Sequence, residues 1–294
     1  MVARSFFVER DGLQLHAIEE GNSKGELVVF VHGYPDDSEV WDGVIEALVD
    51  DFHILRYDVR GTGLSDVPAH RQDYLMAELV ADLLAVVDAT APDKPFHLVG
   101  HDWGSIQLWE AVTDPSLAGR IRSFVSASGP SLDHVAYQMR DAVKNGSFGE
   151  RLRALKQGLS SWYIGAFQIP WLPEAAWSER AVARVEKQIA AAENIPLTAF
   201  QSPRRSKNGT NGIELYRANV PSRLRAPNVR RSDVPTHVLI PQNDGYVSDY
   251  IARSSERWLS NVTYQPIHGG HWFYLSHPEV FSDAIRNHVN QWAK

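Results

Sequence analysis

The chain has 294 residues, 44% hydrophobic and 22% charged, the balance of an ordinary folded protein long enough for one large domain or a core carrying an inserted subdomain. A net charge of -7 argues against general nucleic-acid binding, and the lack of cysteine excludes disulfides and thiolate metal sites, so any nucleophile is an oxygen or nitrogen side chain. No apolar run nears the roughly 20 residues of a membrane span, and the charged first 12 residues lack a signal core, so a cytoplasmic location is expected.

Residues 6–10 and 14–20 alternate around Asp11-Gly12, which predicts a β-hairpin. Residues 27–32 form a short continuous apolar run, the mark of a strand buried on both faces, and 52–58, 96–100, 121–126 and 236–241 read alike. Helical patterns at 39–49, 73–88, 103–113, 250–259 and 278–292 lie between them. The fold class is therefore α/β, with a mostly parallel central sheet, helices on both faces and any site at the carboxyl ends of the strands.

The alternation stops after Gly129-Pro130 and resumes near Asp233-Val234-Pro235. This predicts a core of residues 1–130 and 233–294 and an inserted helical cap, or lid, of residues 131–232. Within the insertion 140–162 and 179–193 read as helix, Trp162, Trp171 and Trp177 supply bulky apolar surface, and the polar, glycine-containing stretch 201–212 reads as an exposed loop. Arg204, Arg205 and Lys207, followed by Arg217, Arg223, Arg225, Arg230 and Arg231, read as a solvated basic face, with contact to a partner domain or an anionic substrate as the alternative. The sequons at Asn208 and Asn261 carry little weight without secretion.

The run Gly100-His101-Asp102-Trp103-Gly104 ends an apolar strand and has the spacing of a nucleophile elbow, in which small residues two before and two after let a strand turn sharply into a helix. The side chain it projects is a carboxylate. Attack by a carboxylate on an acyl group would leave an unstable anhydride, so Asp102 favours an electrophilic sp3 carbon, such as that of an epoxide or a haloalkane, through an alkyl-enzyme ester. The plainer reading is an aspartate that only caps a helix.

Two further polar groups follow predicted strands, in the order nucleophile, acid, histidine. Asp244 follows residues 238–241, and His271 follows residues 262–266. His271 would activate water, and Asp244 would orient its ring and stabilise the imidazolium. His268 competes with His271; Asp249, Asp233 and Asp133 compete with Asp244. The segment Val31-His32-Gly33-Tyr34-Pro35 would bend beside the elbow, so that the amides of Tyr34 and Trp103 face an oxyanion.

These motifs, with Tyr57-Asp58-Val59-Arg60-Gly61-Thr62-Gly63-Leu64-Ser65-Asp66 and Gly269-Gly270-His271-Trp272, resemble the α/β-hydrolase-fold epoxide hydrolases along nearly the whole chain. The resemblance implies two lid tyrosines that hold the epoxide oxygen and donate a proton, and its contexts match Tyr163 in Tyr163-Ile164-Gly165-Ala166-Phe167-Gln168 and Tyr216 in Leu215-Tyr216-Arg217-Ala218-Asn219. It implies hydrolysis of a small apolar epoxide to a diol. Trp103, Trp162, Phe167, Trp171 and Trp272 suggest an apolar pocket, or equally lid core. Haloalkane dehalogenases share the aspartate, acid and histidine, but have asparagine after His-Gly where this chain has Tyr34. Ala127-Ser128-Gly129-Pro130-Ser131-Leu132-Asp133-His134 is similar to the hydrolase half of bacterial fusion proteins in which a short-chain dehydrogenase domain follows. No Gly-x-x-x-Gly-x-Gly nucleotide loop is present, so no NAD(P) or other cofactor is assigned. A homodimer, a partner dehydrogenase domain and a non-catalytic role beside such a domain are the remaining expectations.

Overall fold

The computed structural model of the chain describes residues 3–200 and 202–293. Among the described residues eight strands form one sheet: β1 (Arg4–Arg10), β2 (Leu13–Gly21), β3 (Leu27–Val31), β4 (His53–Tyr57), β5 (Phe96–His101), β6 (Ile121–Ala127), β7 (Thr236–Pro241) and β8 (Val262–Ile267). Their order is β1-β2-β4-β3-β5-β6-β7-β8; β1 and β2 pair antiparallel, as do β2 and β4, and every later pairing is parallel. The hairpin turns at Asp11 and Gly12, both with positive φ, as the tight right-twisting turn requires.

Every residue of β3 is buried, and its side chains divide by parity. Val29 and Val31 pack with the helices Met76–Thr90 and Trp103–Val112, whereas Val28 and Phe30 pack with Trp41, Ile45 and the helix Pro278–Gln291. A strand walled on both faces carries no polar alternation, which is why its sequence is an unbroken apolar run. From β3 the chain passes to β4 on one side and then back across to β5 on the other. That reversal opens a crevice at the carboxyl ends of β3 and β5, where the loop after Val31 meets the turn after His101.

The expected helices shift where packing overrides period. Residues 39–49 hold only a 3-10 turn, Ser38–Trp41, and a single helical turn, Asp42–Ile45; 250–259 breaks into Asp249–Ala252 and the 3-10 turn Glu256–Trp258. Residues 140–162 are two helices, Leu132–Lys144 and Phe148–Ser160, separated where Ser147 and Glu150 form a capping box. The remaining insertion helices are Trp162–Phe167, Leu172–Ala176, Glu179–Glu193 and Arg205–Arg225.

The loop expected at 201–212 is a correction. Apart from Gln201, which lies outside the described residues, most of it forms the first turns of the helix Arg205–Arg225. Its small and polar residues serve close docking: a Cβ on Gly209 would lie 2.2 Å from Trp177, and one on Gly212 would lie 2.5 Å from Tyr34. Asn208 is fully buried, accepting from the Gly63 amide at 3.0 Å and donating to Asp37 at 3.2 Å. The basic stretch is likewise no solvated face in the main. Arg205 pairs with Asp36 and Glu186, Arg217 with Glu174 and Glu214, Arg223 with Asp133 and Glu110, and Arg230 with Glu110. No helix among the described residues is long and apolar enough to cross a membrane.

Candidate active site

Asp102 sits at φ +49 and ψ -123, a conformation that L residues rarely adopt, between β5 and the helix Trp103–Val112. The turn is possible because its flanks lack side chains. A Cβ on Gly104 would lie 2.0 Å from the Val31 carbonyl oxygen and 2.5 Å from that of His32, and one on Gly100 would meet Ser105 at 2.7 Å. We expect Gly104→Ala to destabilise the fold by about 1–3 kcal/mol through this backbone overlap, read as a lower urea midpoint. An unchanged midpoint would show that the elbow tolerates a wider turn.

The Asp102 carboxylate bridges two loops. Its Oδ1 accepts from the Tyr34 amide at 2.7 Å, and its Oδ2 lies 3.6 Å from Nε2 of His271. On the far side of the imidazole, Nδ1 meets Oδ2 of Asp244 at 3.0 Å. Asp244 has no exposed side-chain surface, and its Oδ1 accepts from the amides of Tyr246 and Val247 at 2.8 and 2.9 Å. Burial opposes its charge, yet the adjacent imidazole and these amides win and hold its carboxyl below the usual range. Burial also opposes the charge of His271; the Asp244 and Asp102 carboxylates overcome it and raise the imidazole to about 10.

The sequence competitors lie in other networks. Asp133 accepts from Arg223 and the Asn228 amide, Asp233 from Ser260, and Asp249 from Arg253 four residues on. His268 lines the same cavity as His271 but stands outside its hydrogen-bonded chain.

That cavity, of about 1000 Å³, lies between the sheet edge and the inserted helices. Asp102, His271, Tyr163, Tyr216, Tyr34, Phe167, Trp272 and Trp162 contribute to its wall. Tyr163 and Tyr216 come from different insertion helices, yet their rings meet edge to face at 6.1 Å. Burial and the nearby Asp102 charge push both phenols well above their ordinary range, so they are protonated donors. Two pocket expectations are corrected. Trp171 is 84% exposed and absent from the wall. The Trp103 indole is buried and packs edge-on to Tyr216 at 4.8 Å rather than entering the wall, so it supports the phenol from behind.

Three contributors escaped the sequence reading. His101, held neutral by burial that lowers it to about 4, donates from Nε2 to the His271 carbonyl at 2.9 Å, leaving Nδ1 to accept from the Tyr274 hydroxyl at 3.2 Å. Its signal was its place beside Asp102. Tyr246 lies edge to face with His271 at 4.9 Å and with Tyr163 at 5.8 Å, adding a fourth phenol to the wall. Glu193 ends the helix Glu179–Glu193, and burial raises its carboxyl above the ordinary range. It accepts from the Trp272 amide at 2.9 Å, tying the insertion to the histidine loop. Alongside, Asp36 accepts from the Trp272 indole at 2.9 Å and pairs with Arg205 at 2.8 Å.

An eight-stranded sheet delivering an acid–histidine–carboxylate chain to one edge defines a class, and the family model described as the alpha/beta hydrolase fold matches residues 26–278. The chain belongs to that family. It is 33% identical over 288 residues to "Probable oxidoreductase EphD" of Mycobacterium tuberculosis, covering 94% of this chain and 48% of that protein, so it spans about half the length of that relative. It is 26% identical over 293 residues to the AB hydrolase superfamily protein YfhM of Bacillus subtilis, covering 96% of each. Among solved structures, an inhibitor complex of the Bacillus megaterium epoxide hydrolase superposes with a TM-score of 0.79 at 21% identity, covering 97% of this chain and all of that one, a likeness of fold.

Proposed function

We propose that this chain is an epoxide hydrolase working through an ester on Asp102, with residues 131–232 as its cap. The observation that carries the reading is a carboxylate at the elbow in the same cavity as two protonated phenols from the insertion. Oδ2 of Asp102 attacks an epoxide carbon as Tyr163 and Tyr216 hydrogen-bond the oxygen; the C–O bond breaks, and a phenol proton passes to the alkoxide. Water then gives a proton to Nε2 of His271 and attacks the ester carbonyl. The oxyanion forms at Oδ1, where the Tyr34 amide already donates at 2.7 Å and the Trp103 amide would join it. Collapse expels the second diol oxygen, which takes the proton of the new carboxyl and leaves Asp102 a carboxylate beside the imidazolium; the phenol has already regained its proton from the imidazolium once the ester formed, before water is activated.

Relatives named as epoxide hydrolases support this reading, among them Epoxide hydrolase A of Mycobacterium tuberculosis, 31% identical over 170 residues. The cavity of about 1000 Å³ and its aromatic wall suit bulky aryl or alkyl epoxides. The half-length match to a protein named as an oxidoreductase supports a dehydrogenase domain as companion.

The test is a panel of epoxides, from small terminal to long-chain, assayed for diol and, on chloroalkanes, for halide. Diol from at least one epoxide without halide release is expected; halide release without diol would transfer the site to dehalogenation. In Tyr163→Phe/Tyr216→Phe, loss of both phenol protons should lower kcat by about 10²–10⁴-fold, more than either single change. A double variant within threefold of wild type would remove the phenols from the mechanism.

A further inference from the structure

Twelve of the sixteen large apolar side chains that stand exposed among the described residues belong to the insertion. Four of them share one helix. Phe148, Leu152, Leu155 and Leu159 on Phe148–Ser160 are spaced by four, three and four residues, and at roughly 100° per residue they form one stripe. The same helix turns Ala154 and Gln157 inward, so the stripe points outward by construction. An exposed apolar stripe on an otherwise folded helix marks a surface that is covered in use.

The charges beside the stripe indicate what covers it. Arg151 and Lys156 lie roughly 70° to either side of its centre, while the acidic Glu150 falls on the opposite side. Neither basic residue is in an ion pair among the described residues. Lysine and arginine flanking an apolar face, with their stems alongside it, is the arrangement of a helix lying in an anionic interface. In a chain of net charge -7 such a local basic border is a departure from the surface as a whole. Pairing of this stripe with the same stripe of a second copy would bring Arg151 and Lys156 against like charge.

The patch extends beyond one helix. A groove of about 520 Å³ runs beside it, lined by Met139, Val143, Leu155 and Leu224 and bordered by Lys144 and Arg151. The helix ends at Ser160, two residues before Trp162; both contribute to the wall of the large cavity, and Trp162 is 71% exposed. A tryptophan half in a pocket and half in solvent suits the headgroup level of a bilayer.

We infer that the helix Phe148–Ser160 docks this insertion peripherally on an anionic lipid surface, with the cavity beside the membrane so that apolar molecules can pass into it from the lipid. The binding claim is independent of the chemistry proposed for Asp102. It is tested by flotation of the full chain with vesicles of phosphatidylcholine alone and of phosphatidylcholine with phosphatidylglycerol, at low salt and at 0.5 M salt. The expected result is flotation with the anionic vesicles only, weakened by salt, and reduced at least about tenfold in Leu155→Asp/Leu159→Asp and in Arg151→Glu/Lys156→Glu. Thermal melting of each variant is expected to match wild type, because the changed side chains are exposed. A wild-type chain that stays with neither vesicle overturns the inference, as does binding that survives both double variants. Sedimentation showing a dimer that Leu155→Asp/Leu159→Asp dissociates, without vesicle binding, would assign the stripe to a second copy and also overturn it.

Discussion

Asp102→Ala is expected to lower diol formation by about 10⁴-fold or more while leaving the melting temperature nearly unchanged. The two halves of that expectation have separate causes. Activity depends on an oxygen that forms a bond to carbon, and no neighbouring group can replace it: the Tyr34 amide and His271 contact the carboxylate itself. Stability depends on the elbow, which alanine retains. The backbone strain at φ +49, about 1–3 kcal/mol by its class, belongs equally to Asp102 and to alanine. Isotope placement sharpens the test. A single turnover of wild type in oxygen-18 water should give unlabelled diol and a labelled Asp102, since water attacks the ester carbonyl and the released hydroxyl carries the enzyme's oxygen. Labelled diol in that first turnover would mean direct attack of water on the epoxide, and Asp102 would then be a general base.

The sheet was legible from residue pattern because its strands are walled on both sides: β3 is apolar throughout, β5 is buried throughout with an apolar centre at Leu98 and Val99, and the turns that follow them carry glycine where a Cβ has no room. The same geometry made the elbow readable, since Gly100 and Gly104 stand in fixed relation to Asp102 along the chain. Legibility fails where the informative contact joins distant segments. Glu193 meets the Trp272 amide across 79 positions, and Asn208 meets Gly63 across 145, so nothing near either residue announces its partner. Composition then misleads, and Gly209 and Gly212 look like loop residues although they let a helix lie against Trp177 and Tyr34. Trp103 shows a third kind of error. Its aromatic character suggested a place in the pocket, but the indole is buried edge-on against Tyr216, a contact with a distant segment that no local pattern announces.

His271→Gln is expected to separate the two half-reactions. Asp102, Tyr163 and Tyr216 remain, so ring opening proceeds; without a base for water the ester persists, and intact mass should rise by one substrate per chain, with steady-state turnover down about 10²–10⁴-fold. A variant that shows neither adduct nor turnover would place His271 in the alkylation step instead. The electrostatics give this step a pH signature. In the free enzyme burial works against the imidazolium, but Asp244 at 3.0 Å and Asp102 at 3.6 Å raise the ring to about 10, so at neutral pH it carries a proton and cannot act as base. Esterification turns the Asp102 carboxylate into a neutral group and removes one of the two charges that oppose burial. The ring's pKa must therefore fall once the ester exists, which yields the neutral base when water needs it. The sign follows: ester hydrolysis accelerates as pH rises through the lowered pKa and levels off well below 10. Quenched-flow measurement of ester decay between pH 5 and 11 checks this, and an inflection still near 10 would show that Asp244 alone sets the proton affinity of His271.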